Sequence, residues 1–585
     1  MPTEVPELLP RPRRIVRREG FLTVPAAPHP LHAFLGNLPG TMSAARQWLH
    51  AAPGSSPCET DPGLGAEAYR LLITPEGLRI TVGGAAGLLY AAQTLAQLRA
   101  AHPAALPCLE IDDAPVLAVR GFMLDVSRCR VPTQAELLRL VAALGALRAN
   151  QLQLYVEHTF AFAGHEDAWR DASPLTPAEI VALDRACAEA GIELVPNLNT
   201  FGHMERWLRH PRYRALAECP EGWVHPLTGE FKEFPGTLRP DEASLAFVRG
   251  LLADYLPHFS SRQVNIGGDE PWELGQGFSR AAVADRGKHR VYLDHLRKIC
   301  ALAQADGRTA QFWGDILLED LALAQDAPVG AVPVVWGYDA GHPFDAQCGR
   351  LRELGRNYLV APGTSTWQSF TGRLDNALAN QQEAVDAARR HGAAGVLLTA
   401  WGDNGHHQPW PTNWPAMADG LGRAWSGEAP TAGGLVAAYA ALGGLDRSDA
   451  AATGAALEHL GRLDGCIGKS QRNRSLTWDF LTARDENLPK HLADVTPAET
   501  SRSLAHLAEA DRLIGRIRDE VVREELALGA DLARAGLERA RRTESPARSR
   551  ATLVARHRAA WLRRSRSGGL DESVRLLFGS VIDRS

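Results

Sequence analysis

Between about residue 116 and residue 425 the chain repeats one alternation, a short apolar run followed by a longer stretch of helical character. Eight apolar runs are present: Val119 to Val126, Gln151 to Glu157, Ile192 to Asn199, Gln263 to Asp269, Thr309 to Asp315, Val332 to Tyr338, Asn357 to Pro362 and Gly395 to Trp401. Helix-like segments between them include Gln134 to Arg148, Pro177 to Ala190, His289 to Ala305 and Asn376 to His391. Such alternation argues for a parallel sheet with crossover helices, and eight strands is the number that closes a barrel. The expected fold class is α/β, with a (β/α)8 TIM barrel over residues 114–428.

The flanks differ from this centre. Residues 1–113 contain a hairpin, Tyr69 to Ile73 and Leu78 to Val82 around the turn Pro75-Glu76-Gly77. A helical segment, Gly87 to Ala100, follows with Leu89, Ala92, Leu95 and Leu98 spaced for one buried face. A small α+β domain is expected there, with Asp112-Asp113-Ala114-Pro115 as its exit linker. Residues 429–585 are rich in Ala, Leu, Arg and Glu, with helical periodicity from Thr500 to Arg542, and read as a helical C-terminal region. The Arg-rich run Arg541 to Arg566 is flanked by acids, so a solvated helix face is expected ahead of a homodimer contact. The turn Ser565 to Leu570 packs on the barrel or on a partner subunit.

Composition narrows the partners. With 63 Lys+Arg against 68 Asp+Glu, the formal charge of -5 provides no basic field for nucleic acid or acidic lipid, so a small or neutral ligand is expected. Eight cysteines are scattered without a C-x-x-C pair, the pattern of reduced, structural thiols. The segment Met1 to Pro6 lacks the apolar core of a secretory signal, and no apolar run reaches the roughly 18 residues of a membrane span. A soluble, cytoplasmic protein is expected.

In a barrel of this kind the working side chains gather at the carboxyl ends of the strands. Those ends carry Asp125, Glu157 with His158, Asn199 with His203, Asp269-Glu270, Trp313 with Asp315, Trp336 with Tyr338, Thr364 with Trp367, and Trp401 with Asp403. Ten of the 14 Trp fall between residues 207 and 425. Indole faces suit the C–H face of a pyranose. The most informative stretch is Val264-Asn265-Ile266-Gly267-Gly268-Asp269-Glu270-Pro271-Trp272. Adjacent strand residues point to opposite faces, so Asp269 and Glu270 could not share a pocket in extended backbone; the two glycines release that constraint.

Gly267-Gly268-Asp269-Glu270, Arg120-Gly121-Phe122-Met123-Leu124-Asp125-Val126-Ser127-Arg128, Pro196-Asn197-Leu198-Asn199-Thr200-Phe201-Gly202-His203 and Trp401-Gly402-Asp403 together resemble the family 20 glycoside hydrolases, the β-N-acetylhexosaminidases. The similarity covers roughly residues 65–425. It implies exo-acting release of terminal N-acetylglucosamine or N-acetylgalactosamine from an oligosaccharide or glycoconjugate, without a cofactor or metal. Most glycosidases hold two carboxylates about 5–5.5 Å or about 6.5–9.5 Å apart across the scissile bond, and this family is a substrate-assisted exception. The resemblance makes Glu270 the general acid/base. It makes Asp269 the partner of the 2-acetamido group, whose oxygen attacks the anomeric carbon to give an oxazolinium ion. It further implies substrate-binding roles for Arg120, Glu157, His203, Trp313, Trp336, Tyr338, Trp367, Trp401 and Asp403. Glu157 stands where the family usually has Asp, and Asp403 where it often has Glu. The family's acetamido-binding tyrosine is missing from Ala361-Pro362-Gly363-Thr364-Ser365-Thr366-Trp367, and Tyr338 is the substitute at hand.

Three other readings compete. The missing tyrosine suits a β-glucosaminidase or a hydrolase of a substituted hexosamine on the same fold. A metal-dependent barrel hydrolase would draw on His158, His203, Asp269 and His406 or His407, although no H-x-H or H-E-x-x-H motif is present. A non-catalytic sugar-binding relative is disfavoured by the intact acid pair.

Overall fold

A computed structural model describes residues 7–26, 30–50, 57–320, 325–543 and 548–578. The first six residues, on which the expectation about a leader rested, lie outside them. Strands β1 (Arg14–Thr23), β2 (Cys58–Thr60), β3 (Tyr69–Thr74), β4 (Gly77–Val82) and β5 (Ala105–Asp113) form one sheet in the order β1-β5-β3-β4-β2. The expected hairpin is β3–β4, paired antiparallel from Tyr69 opposite Val82 to Thr74 opposite Gly77. Helix Ala85–Ala101 buries Leu89, Ala92, Leu95 and Leu98 as the spacing predicts, and also Leu88, Tyr90 and Ala91. It is apolar beyond one face because it lies between this sheet and the barrel, where Gln93 donates to the carbonyl of Gly145 at 3.2 Å.

The barrel closes through β6 (Val119–Asp125), β7 (Gln151–Val156) and β8 (Glu193–Leu198). After a short hairpin, β9 (Trp223–Val224) with β10 (Phe231–Lys232), it continues through β11 (Gln263–Asn265), β12 (Thr309–Trp313), β13 (Val332–Trp336), β14 (Leu359–Ala361) and β15 (Gly395–Ala400). All eight barrel strands are parallel, and β15 pairs back onto β6. The eight expected runs are these eight strands. Several stop earlier than expected, β11 by four residues, because the backbone turns at Gly267 and Gly268.

Alternation along each strand sorts its side chains into two environments. Phe122 and Leu124 pack outward among the helices, whereas Met123 packs inward with Trp313, Val334, Leu359 and Leu397. On the opposite wall the interior is filled by amides. Gln153 donates to Gln151 (3.0 Å) and Gln311 (2.7 Å) and accepts from Asn197 (2.9 Å) and Asn265 (3.1 Å). Both of its protons and its carbonyl oxygen are thereby used, which makes a buried polar layer tolerable.

The same alternation corrects the expectation for Arg120. It has the parity of Phe122, not of Asp125, and lies at the amino end of β6, so its guanidinium points outward beneath the small sheet domain. There it binds Glu67 at 2.5 Å and the carbonyls of Arg148 (2.8 Å) and Leu117 (3.0 Å), and stacks 5.1 Å from Trp425. It is a docking residue at the end of the barrel remote from the strand carboxyl ends. The acidic "linker" is corrected too. Asp112 and Asp113 end β5, and buried Asp113 accepts from Arg148 (2.7 Å), Tyr69 (2.8 Å) and Trp425 (3.1 Å).

After the barrel's closing helix Trp414–Ser426, every regular element of the described C-terminal residues is a helix. Periodicity from Thr500 to Arg542 corresponds to two helices, Pro497–Ile514 and Glu520–Ala540, capped by Thr496 and Asp519. The Arg-rich run is solvent-exposed at Arg541, Arg542 and Arg563, but its end is docked on the barrel. Arg564 joins Glu136 (2.8 Å) and Glu525 (2.7 Å), and Arg566 joins Glu179 (2.7 Å) and the carbonyls of Pro132 and Pro174. The turn after Arg564 therefore packs on the barrel. Helix Leu570–Phe578 is fixed to the loop after β15, where the Ser573 hydroxyl donates to Gly405, accepts from His557, and the Ser573 carbonyl meets His407 at 2.9 Å. Among the described residues no helix is long and apolar enough to cross a membrane.

Replacing Arg120 with Met should cost about 3 kcal/mol or more in urea unfolding, because Glu67 and two carbonyls lose a buried charged donor. An unchanged midpoint would remove the docking role. A tenfold rise in KM for any substrate of the pocket at the other end would restore a role in ligand binding.

Candidate active site

The loop between β11 and Trp272 brings both acids to one side. Gly267 and Gly268 adopt φ of +71° and +92°, and Glu270 itself adopts +47°. A side chain at position 267 is also sterically closed off, since its Cβ would fall 2.0 Å from Asn199 Oδ1. Asp269 keeps the inward parity of Asn265, and the left-handed turn at Glu270 rotates the second acid to join it. His203, from the loop after β8, lies between them, with Nε2 3.2 Å from Asp269 Oδ2 and 3.6 Å from Glu270 Oε2.

Burial raises the Glu270 carboxyl above its ordinary range, and the nearby charge of Asp269 raises it further against the opposing pull of His203. Burial alone would lower the His203 imidazole, but the charge and hydrogen bond of Asp269 overcome this and lift it to about 9. His203 is thus a cation at neutral pH. A third carboxyl, Asp315, is pushed up to about 8 by burial and by repulsion from Asp269 and Glu270. It accepts the backbone N–H of Glu270 (3.3 Å) and the indole N–H of Trp336 (3.4 Å). Asp269 Oδ1 is buried and has no hydrogen-bond partner. A buried acceptor without a partner is free to take a donor from a ligand.

Opposite the acids, a ladder of polar groups rises from the barrel interior. Asn199 donates to the Tyr155 hydroxyl (2.6 Å), and Tyr155 donates to Glu157 (2.9 Å). Arg128 is set among three carboxylates, 3.0 Å from Asp125, 3.3 Å from Asp403 and 3.6 Å from Glu157. Its guanidinium carbon lies 4.8 Å from the ring centres of both Tyr155 and Trp401. Those anions hold the guanidinium pKa well above its ordinary value despite burial. The arrangement presents a permanent cation with two acids beside it, which suits vicinal hydroxyls.

Aromatic residues form the remaining wall. Trp336 stacks on Tyr338 with ring centres 5.3 Å apart, and Trp401 meets Tyr155 edge-on at 4.7 Å. Two of the expected indoles stand behind this wall. Trp367 is 1% exposed and abuts Tyr338, and Trp313 is 1% exposed beneath Trp401. They buttress the pocket and present almost no surface to it. On the outer side Trp272, His225 and Trp223 follow one another at ring separations of 5.6 and 5.4 Å, the last two from the β9–β10 hairpin. Glu273 anchors that hairpin by accepting from the N–H groups of Gly236 (2.5 Å) and Thr237 (3.0 Å). The resulting cavity, about 340 Å³, is lined by Arg128, Glu157, His203, Glu270, Trp223 and Trp272, and by Glu572 and Leu576 of the C-terminal helix.

Of the residues expected from sequence, Glu157, His203 and Glu270 line this cavity; Asp269, Asp403 and Trp401 each touch one of its lining residues, Tyr338 and Trp336 follow behind Trp401, and Arg120 is remote. Arg128 was missed. Its signal was its place three residues beyond the strand-end acid Asp125, where a turn can carry the side chain back over the mouth. His158, His406 and His407 are not brought to Asp269. His407 is buried, with Nδ1 facing the Trp478 indole N–H at 3.1 Å, and burial lowers it to about 4. Among the described residues no group of three or more His, Cys, Asp or Glu is arranged to hold a metal ion.

Residues 30–114 match "Glycosyl hydrolase family 20, domain 2" and residues 118–363 match "Glycosyl hydrolase family 20, catalytic domain", together more than half of the chain. The chain is similar to a beta-hexosaminidase of Akkermansia muciniphila, 28% identical over 282 residues, or 43% of this chain and 56% of that protein. It is similar to hexosaminidase D of Homo sapiens, 29% identical over 300 residues, or 48% of this chain and 58% of that one. It thus spans little more than half the length of these relatives. Among solved structures, a chitobiase from Flavobacterium johnsoniae aligns over 95% of this chain and 96% of its own with a TM-score of 0.60 and 17% identity. A β-N-acetylhexosaminidase from Streptomyces coelicolor aligns over 76% and 98% with a TM-score of 0.56 and 20% identity. Likeness at such identities is one of fold.

Two outcomes test the electrostatics. Arg128→Met should lower kcat/KM for any substrate of this pocket about 100-fold through lost charged hydrogen bonds, and a loss under threefold would remove Arg128 from the pocket's function. The protonated His203 favours the charged form of Glu270, so His203→Asn must raise the Glu270 pKa. Wherever protonated Glu270 is the acid, activity lost on raising the pH will then be lost at higher pH than in the unmodified protein. An alkaline limb that stays put or moves down contradicts the assignment.

Proposed function

The chain belongs to glycoside hydrolase family 20, and from that premise we propose that it is an exo-acting β-N-acetylhexosaminidase working by a retaining, substrate-assisted mechanism. The observation that carries this reading is the unpartnered Oδ1 of Asp269 beside a carboxyl whose pKa burial raises. In this mechanism Asp269 accepts the N–H of the substrate's 2-acetamido group and turns its carbonyl oxygen toward the anomeric carbon. Glu270 gives its proton to the glycosidic oxygen as that oxygen leaves. The acetamido oxygen closes on the anomeric carbon, and the resulting oxazolinium ion is held by the Asp269 carboxylate. The Glu270 carboxylate then takes a proton from water as the water's oxygen opens the ring on the face the leaving group vacated. Two displacements at one carbon leave its configuration as it began.

Arg128, Glu157 and Asp403 take the outer hydroxyls of the terminal sugar, while Trp336 and Trp401 provide its apolar walls. Tyr338 replaces the family's missing tyrosine. Burial, with Asp269 and Asp403 close by, raises its phenol well above the ordinary range, so it stays a donor for the acetamido oxygen. Trp272 and Trp223 receive the leaving portion of an oligosaccharide or glycoconjugate. Action in the cytoplasm is part of the proposal, supported by seven buried cysteines, Cys108, Cys129, Cys187, Cys219, Cys300, Cys348 and Cys466, that form no disulfide.

The test compares p-nitrophenyl β-N-acetylglucosaminide with the matching β-glucoside, with a chelator present in both. Turnover of the acetamido substrate alone is expected; equal cleavage of the glucoside would remove the assisted mechanism. Glu270→Gln should lower kcat far more for an alkyl or sugar leaving group than for nitrophenolate, which needs no proton. An equal loss on both would deny Glu270 the role of acid.

A further inference from the structure

Two loops meet on the outer side of the proposed catalytic pocket. One follows β8 and carries the β9–β10 hairpin; the other follows β11 and carries the acid pair. Each sends one buried glutamate into the other. Glu218, ahead of the hairpin, uses Oε1 to accept the N–H groups of Gly275 (3.3 Å), Gly277 (3.2 Å) and Ser279 (2.9 Å) and the hydroxyl of Ser279 (2.6 Å). Glu273, just beyond the acid pair, uses Oε1 to accept the N–H groups of Gly236 and Thr237, which follow the hairpin. In both acids Oε2 is buried without a hydrogen-bond partner, so each junction hangs on one oxygen. Backbone completes the exchange, with Glu218 N–H donating to the Thr237 carbonyl (2.9 Å) and Phe278 N–H donating to the Glu218 carbonyl (2.9 Å). The loops touch closely, since a Cβ on Gly277 would fall 2.0 Å from that Glu218 carbonyl oxygen.

What this clasp holds is otherwise lightly attached. Residues 226–234 are all exposed, and Arg214 braces the base by donating to the carbonyls of Pro220 and Glu233. Val224 and Phe231 lie opposite each other and face solvent, whereas Trp223 and His225 have the other parity and turn toward Trp272. The aromatic side of the pocket is therefore placed by the two ends of the hairpin, where both glutamates act. Glu273 itself lines the pocket, and Glu218 lies outside its lining. Burial, with Glu218 and Glu205 close by, pushes the Glu273 carboxyl up to about 8 against the pull of its two N–H donors, so glutamine is its faithful neutral mimic.

We propose that Glu218 and Glu273 are positioning residues that fix the hairpin as the wall of the leaving-group site, and that this wall selects a sugar over a small alcohol as the leaving portion. The proposal rests on the hexosaminidase reading, in which Trp223 and Trp272 receive that portion. Glu218 makes the sharper case, because it acts on the ligand only through the loops it joins.

Hydrogen exchange reads the clasp whether or not turnover occurs. Glu218→Leu and Glu273→Leu should each speed exchange across residues 234–238 and 274–280 about tenfold, and Glu218→Gln and Glu273→Gln, which keep an accepting oxygen, should stay within about twofold of the unmodified protein. Turnover reads the wall. The ratio of kcat/KM for the β-1,4-linked N-acetylglucosamine disaccharide to that for methyl β-N-acetylglucosaminide should fall about tenfold in both leucine variants and in Trp223→Ala, chiefly through the KM of the disaccharide. It should hold in the glutamine variants. Gly277→Ala, which forces the loops apart and leaves both acids in place, should lower the same ratio and covers the case in which a leucine variant fails to fold. Equal losses on the two glycosides overturn the proposal, as do equal losses in the glutamine and leucine variants. Unchanged exchange overturns it as well, and so does a ratio that falls in the leucine variants but not in Trp223→Ala. Absence of turnover of both glycosides by the unmodified protein is a failure of the hexosaminidase reading, and exchange then still accepts or rejects the clasp.

Discussion

Everything at the mouth of this barrel depends on one backbone constraint. Adjacent residues of a strand point apart, and two neighbouring carboxylates can share a pocket only if the strand stops being a strand between them. Gly267 and Gly268 end β11 after three residues, and Glu270 takes a left-handed conformation that costs a side-chain-bearing residue energy. Packing that encloses the turn on all sides sustains it, with Asn199 against Gly267 and Tyr292 donating to the Gly268 carbonyl at 2.9 Å. The strain is stored where two acids must act on one side of a sugar.

Charge is arranged with similar economy. Burial and mutual repulsion raise the carboxyls of Glu270 and Asp315, and the imidazole of His203 settles beside Asp269 and Glu270. Across the pocket Arg128 is held by acids on three sides and by ring faces on two. The pocket thus has an acidic reacting end and a recognition end built around one cation, with Asn199, Tyr155 and Glu157 hydrogen-bonded in series alongside.

The barrel was legible in the sequence because parallel strands buried on both faces read as short apolar runs, and helices between them read at a different period. The acid pair was legible because two glycines directly ahead of two acids mark a strand that breaks off into a turn. Arg120 and Arg128 show where such reading stops. Both belong to one motif, yet strand parity sends the first to the small domain, and a turn beyond Asp125 returns the second to the mouth. Trp313 and Trp367 sit at strand ends like Trp336 and Trp401, but how deep an indole sinks depends on what lies above it. Arg564 and Arg566 looked like solvent-facing charge because their partners, Glu136 and Glu179, lie some 400 residues away, beyond the reach of any local pattern.

Those long-range pairs bear on what counts as a domain here. Arg564 and Arg566 tie the C-terminal helices to the first and second crossover helices, and Ser573 ties them to the loop after the final strand. The helical region thus closes the ring of the barrel a second time, from outside, like a hoop around staves. A barrel cut free of it would keep its eight strands but expose Glu136 and Glu179 without their cations and lose one wall of the pocket. The sequence falls into three segments, whereas the ion pairs and hydrogen bonds that hold the mouth of the barrel run between them.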